Sequence, residues 1–257
     1  MNRSRVVPFC LLVLLIPPLT SSAQSKNPFA TGTAAQLPPS SAVTSVRELQ
    51  IPQKARKACE SGARRCAAKD VAGSVPEFQK AIKAFPGYYE AYVKLGAAEL
   101  DLEHWGDAEA AFRKAIELSG GHYALANFGL GLILATVTKE FTEAETVVRT
   151  GLATAPADVT GHFVLAWVLY STARLQEAEE SAREAVSSNP NLAGARLLLA
   201  QIHFQERNFS AAVEDIDAYL NMGVSGSEEE RVRGIRAEAL RALPRAKADS
   251  EIAEASR

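Results

Sequence analysis

Between Pro52 and Leu243 apolar residues recur every three or four positions in short runs, separated by polar or glycine-containing breaks. This period predicts a succession of amphipathic helices. The clearest stretch is Tyr89 to His122, where Tyr92, Leu95 and Gly96 fall on one face of a first helix. Across the turn Glu103-His104-Trp105-Gly106, the residues Ala108, Phe112 and Ala115 fall at i, i+4 and i+7 of a second helix. So short a connection makes the two helices antiparallel. Small residues at their crossing let the backbones approach while large side chains fill the space alongside. A helical hairpin cannot cover its own apolar faces, so it requires neighbours.

The chain provides them at a step of about 34 residues. The unit 55–88 carries Gly62, Ser74, Phe78, Ala81 and Pro86, and the unit 89–122 is the one above. The unit 124–158 carries Leu130, Gly131, Ala144, Val148, Gly151 and Pro156, and needs two extra residues, one before its first helix and one between its helices. The unit 159–192 carries Leu165, Ala166, Ala178, Ala182, Ala185 and Pro190, and the unit 193–226 carries Leu199, Ala200, Ala212, Ile216 and Tyr219. Ser227 followed by Glu228, Glu229 and Glu230 reads as an N-cap and capping box. The helix it opens, 227–243, turns Val232, Ile235, Ala239 and Leu240 onto the last hairpin; Pro244 ends it and 244–257 is a polar tail.

Spacing, small crossing residues and terminal prolines over 52–243 resemble the tetratricopeptide repeat family. The resemblance implies an all-α fold, a right-handed superhelical solenoid of about five antiparallel helix pairs with a capping helix, acting as a non-catalytic scaffold for a protein or peptide partner. In that family the first helices line a concave groove. Carrying the ligand-facing positions over implies Val93, Ala97, Leu100, Phe128, Leu132, Phe163, Trp167, Tyr170, Leu197 and Phe204 as groove residues. Such a face favours an apolar helix or extended segment anchored by aromatic pockets. The alternative is a face covered by the chain's own N-terminal segment or buried in a homo-oligomer. The Lys and Asn pattern that clamps a terminal carboxylate in some members is missing, since the matching places hold Cys59, Ala63 and Lys94.

The start of the chain changes where this scaffold is expected. Arg3 and Arg5 precede the apolar run Val6 to Ile16, and Pro17 to Ala23 ends in small residues, so 1–23 reads as a signal peptide cleaved after Ala23. An uncleaved anchor is the alternative, disfavoured because the run is about half the roughly 20 residues of a span. Residues 24–51, rich in Ser, Thr, Ala and Pro, read as a flexible linker, with Val43 to Val46 as a short extended segment or one docked on the first repeat. The expectation is an exported chain, periplasmic or extracellular, and by family resemblance one serving envelope, pilus or secretion assembly. Formal charge is -2. The basic residues Lys54, Arg56, Lys57, Arg64 and Arg65 read as a solvated end of the array rather than a nucleic-acid patch.

Candidate chemistry adds little. His104, His122, His162 and His203 lie one to a unit without a second ligand at helical spacing and read as surface or packing residues, as do the surface acids Glu99, Asp101 and Glu103. Cys59 and Cys66, seven positions apart on one helix, are beyond disulfide reach at about 10 Å along the axis. Gly120-Gly121 and Gly129-Leu130-Gly131 read as a hairpin junction and a helix crossing rather than a phosphate loop. Neither a cofactor, a metal nor a catalytic group is expected.

Overall fold

Each pair of helices needs a place where the chain reverses, and the backbone marks five of them. Lys69, Glu103, Lys139, Ala173 and Arg207 have φ of 64, 61, 59, 59 and 62°. These left-handed residues recur at steps of 34 except for 36 between Glu103 and Lys139, where the sequence carries its two extra residues. Left-handed φ costs a residue with a Cβ about 1 kcal/mol or more. Ala173→Gly is therefore expected to raise stability by about 0.5–1 kcal/mol in a denaturant titration; no gain would mean that the turn relaxes without it.

This is a computed structural model, and it describes the backbone of residues 50–255 and the side chains of 50–243. The expected signal peptide, nearly all of the linker and the side chains of the tail lie outside the described residues. Within them are eleven α-helices and no strand: α1 Gln53–Ala67, α2 Val71–Ala84, α3 Tyr89–Asp101, α4 Trp105–Ser119, α5 Ala124–Ile133, α6 Phe141–Thr154, α7 Val159–Ser171, α8 Leu175–Ser188, α9 Ala193–Gln205, α10 Phe209–Leu220 and α11 Ser227–Ala255. The fold is an all-α helical-repeat solenoid by class. By contact the chain divides within α7 into an N-terminal unit ending at Val164 and a C-terminal unit from Leu165.

In the N-terminal unit α1 packs on α2, α3 on α4 and α5 on α6. Aromatic rings occupy the sites of closest approach. Phe112, fully buried, lies against both Gly96 and Gly129, where an added Cβ would stand 3.1 and 2.4 Å from its ring. Phe78 lies against Gly62, while Phe128 meets both Gly151 and Gly161. The two extra residues of the third repeat are absorbed at its two junctions. Gly120 and Gly121, φ 63 and 81°, close α4 with a bond from the Gly121 N–H to the Ile116 carbonyl at 2.9 Å. After α5, a π-turn over Leu134–Thr138 carries the second, its wider winding closed by the Glu140 N–H on the Leu134 carbonyl at 2.8 Å.

In the C-terminal unit α9 packs on α10, and α11 lies across α10. Val232 joins the buried cluster of Leu197, Ala200, Ile216 and Tyr219, with Ile235 packed beside it. Tyr219 donates its hydroxyl to Glu228, and Arg236 forks onto Asp217. Three expectations for this helix are corrected. The Glu230 N–H bonds to the Gly226 carbonyl at 3.2 Å, so the helix is capped one residue before Ser227 and the expected capping box is out of register. Leu240 is 40% exposed, although Ala239 is fully buried. The helix runs through Pro244 to Ala255; the carbonyl that a proline leaves without a donor is that of residue 240, on the exposed side where water can take it. Gly234 sits in α11 with nothing within 4 Å of an added Cβ, so Gly234→Ala is expected to add about 1 kcal/mol from helix propensity alone, read as a shift in the denaturation midpoint.

Candidate functional site

The ten residues carried over as groove positions fall into two groups. In the N-terminal unit Val93, Leu100, Phe128 and Leu132 are buried, and only Ala97 and Phe163 are partly open. The cause is α5. Every residue from Ala126 to Ala135 is buried, because this stretch packs against α3, α4 and α6 and is apolar but for Asn127, whose amide donates to the Gly121 carbonyl at 2.9 Å. Phe128 is thus a core side chain between glycines rather than a pocket-forming ring. What this unit presents instead is tyrosine: the Tyr89 and Tyr123 rings stand 4.9 Å apart, and burial, with Glu90 nearby, pushes the Tyr123 phenol up to about 12.

In the C-terminal unit Leu197 is buried, whereas Trp167, Tyr170 and Phe204 are half-buried. Trp167 and Tyr170 lie 6.1 Å apart on the last two turns of α7, and the Tyr170 oxygen accepts from Gln205 of α9 at 2.9 Å. Burial pushes this phenol up to about 12, so it stays neutral. One turn back on α9, Gln201 lines a shallow depression with Leu197, Phe204, Ile216, Val232 and Ile235. Gln201 is 2% exposed. Neither end of its amide, nor the Trp167 indole N–H, has a hydrogen-bond partner among the described residues. Such groups each cost about 1–3 kcal/mol when left unmade, and all three atoms are closed to solvent in the free chain.

Two clusters of ionisable groups were not visible from spacing along a helix. Glu99, expected at the surface, is 6% exposed, and its carboxylate meets His104 Nδ1 at 2.8 Å across the α3–α4 turn. Asp107 stands close to the pair. The histidine already satisfies the buried carboxylate, so the trio is accounted for as the turn's own bonding. His203 of α9 is buried between Asp215 of α10 and Glu179 of α8, with contacts of 2.8 and 2.9 Å to its two ring nitrogens.

The thiols are separate and free. Cys59 is buried in the α1–α2 core and Cys66 is partly open. Burial raises the Cys59 thiol above its ordinary value, partly offset by Lys94 and by Tyr88. A thiol-specific reagent at pH 8 is expected to modify Cys66 at least about tenfold faster than Cys59; equal rates would contradict the packing of α1.

Comparison of the sequence with known families gives a match to the tetratricopeptide repeat in four overlapping stretches, 66–123, 93–159, 137–193 and 163–228. Curated proteins give no significant match. Among solved structures the chain resembles PilW, described as a widely conserved type IV pilus biogenesis factor, with a TM-score of 0.67 at 17% identity over 77% of this chain and 92% of that one. It also resembles PilF of Pseudomonas aeruginosa, with a TM-score of 0.63 at 16% identity over 76% and 88%. A third is YrrB, described as having an unusual peptide-binding site, with a TM-score of 0.52 at 16% identity over 70% and 92%. At these identities the likeness is one of fold.

Proposed function

The chain belongs to the tetratricopeptide repeat family, and from that premise we propose that it is a non-catalytic scaffold that holds an extended segment of a partner protein on the C-terminal unit. The observation that carries this reading is the unpaired Gln201 amide and Trp167 indole N–H set among Tyr170, Phe204 and Leu197. An extended peptide offers main-chain carbonyls and N–H groups at regular spacing together with side chains for apolar depressions. Once the half-buried Trp167 and Phe204 side chains turn aside to admit it, its carbonyls accept from the indole and from the Gln201 NH2, and its N–H donates to the Gln201 oxygen. An all-apolar helix, whose main-chain groups are already used, would leave those atoms unpaired.

The envelope is the setting we propose. The signal-peptide pattern at the N-terminus favours export, and one of the structural likenesses, PilW, is described as a type IV pilus biogenesis factor. Among the described residues no helix is long and apolar enough to cross a membrane. In the second reading the half-buried Trp167, Tyr170 and Phe204 are covered by another copy of the chain, since an aromatic face suits either occupant. Size in solution separates the two when wild type is compared with Trp167→Glu plus Phe204→Glu. A monomeric wild type and a folded variant that no longer recovers the partners retained from an envelope fraction support the scaffold. A wild-type oligomer that the variant splits assigns the face to self-association and refutes the peptide site.

A further inference from the structure

His203 stands where three helices meet, and its chemistry is set by what faces its ring. Both ring nitrogens contact carboxylate oxygens, Nδ1 to Asp215 at 2.8 Å and Nε2 to Glu179 at 2.9 Å. Carboxylates accept and do not donate, and a neutral imidazole has a single N–H. A neutral ring would therefore point a lone pair at one carboxylate across a hydrogen-bond distance, whereas an imidazolium donates to both. The other charged groups facing the site are Arg183 of α8, paired with Glu179, and Arg196 of α9, whose guanidinium lies 3.5 Å from Asp215. At Asp215 the arginine reaches Oδ1 and the histidine Oδ2, while at Glu179 Arg183 and the histidine share Oε1. His203 is 4% exposed, so water cannot substitute for a missing bond.

We propose that His203 is a proton-operated clamp: as imidazolium it bonds α8 and α10 to α9 through Glu179 and Asp215, and on losing its proton it releases one of the two, loosening the C-terminal unit. The proposal concerns the packing of these helices and is independent of what the face on α7 and α9 binds. The proton that leaves goes to solvent, and no other group need change charge. The Asp215 contact, and then Glu179, raises the histidine above its ordinary value of 6.5 against the opposing effect of burial. The His203 bond, then Arg183, holds the Glu179 carboxyl below its usual range. A histidine raised on folding gives its full stabilisation below the unfolded value and loses it as pH climbs through the folded one. The window therefore opens above pH 6.5 and closes once the raised value is passed.

The test is thermal unfolding of the full folded chain against pH, from 5.5 to 9.5, for wild type and for His203→Gln, which keeps one donor and one acceptor. The wild type is expected to melt higher than the variant at pH 6, by about 3 °C, and the gap to close at the alkaline end. Asp215→Asn is expected to move that closure toward lower pH. A gap that is the same at every pH makes His203 a packing residue only and overturns the clamp. If His203→Gln does not fold, nitrogen chemical shifts of the wild-type imidazole decide: both nitrogens protonated at pH 6.5 with titration above it sustains the proposal, and a neutral single tautomer at that pH overturns it.

Discussion

Phe112→Ala is expected to lower the unfolding free energy by about 3–5 kcal/mol, the range for emptying a fully enclosed aromatic site. Phe112 has no exposed surface, and its ring touches the backbone of α3 at Gly96 and of α5 at Gly129 while belonging to α4. One side chain therefore spaces three helices drawn from two successive repeats. The cavity left by alanine has little means of collapse, because helix axes rather than flexible side chains form two of its walls. A repeat array transmits stability only between neighbours, so the loss falls on the N-terminal unit. Hydrogen exchange is expected to show α3 to α5 losing most protection. A measured loss below about 1 kcal/mol would mean that the packing described around this ring is incorrect.

Gly129→Ala probes the same contact from the other side, and its sign is the informative quantity. In an open helix the change would be stabilising by about 1 kcal/mol. Here the new methyl would stand 2.4 Å from the Phe112 ring, which is already pressed toward Gly96, so overpacking of about 1–3 kcal/mol is expected to outweigh propensity. A smaller ring site should relieve it: in a Phe112→Leu background the penalty of Gly129→Ala is expected to shrink, a coupling read by a double-mutant cycle. Stabilisation in the wild-type background would contradict the close approach of α4 and α5. Gly234→Ala serves as the matched exposed control.

These two residues also show why the fold was legible in the sequence. Glycine at positions 62, 96 and 131, set against Phe78, Phe112 and Val148, is a pattern of local spacing, and the structure places these partners in contact. The two extra residues of the third repeat were visible as a break in that spacing. What sequence did not disclose was that one becomes a π-turn and the other a pair of left-handed glycines.

The candidate site was legible in part, for reasons that differ by residue. Positions on α7 and α9 were found by carrying over the ligand-facing positions of the resembling family, and Trp167, Tyr170 and Phe204 are half-buried there. On α5 an apolar residue occupies every face, so no periodicity tells groove from core, and Phe128 and Leu132 proved to be packed. His203 was read as a surface or packing residue since its partners lie 12 and 24 residues away on other helices, a juxtaposition that exists only once α8, α9 and α10 assemble. Glu99 illustrates the same limit at shorter range. Its helical position looks exposed until the α3–α4 turn brings His104 over it.

The most direct test of the account is a calorimetric titration with extended peptides selected from a random displayed library, against wild type, Trp167→Ala and Gln201→Leu. Binding by the wild type that weakens at least about tenfold in each variant, or about 1.4 kcal/mol, with helical content unchanged, is the predicted result. Selected peptides that bind all three proteins equally, or a wild type that selects none, would contradict the claim that the C-terminal unit holds a peptide through its unpaired amide and indole.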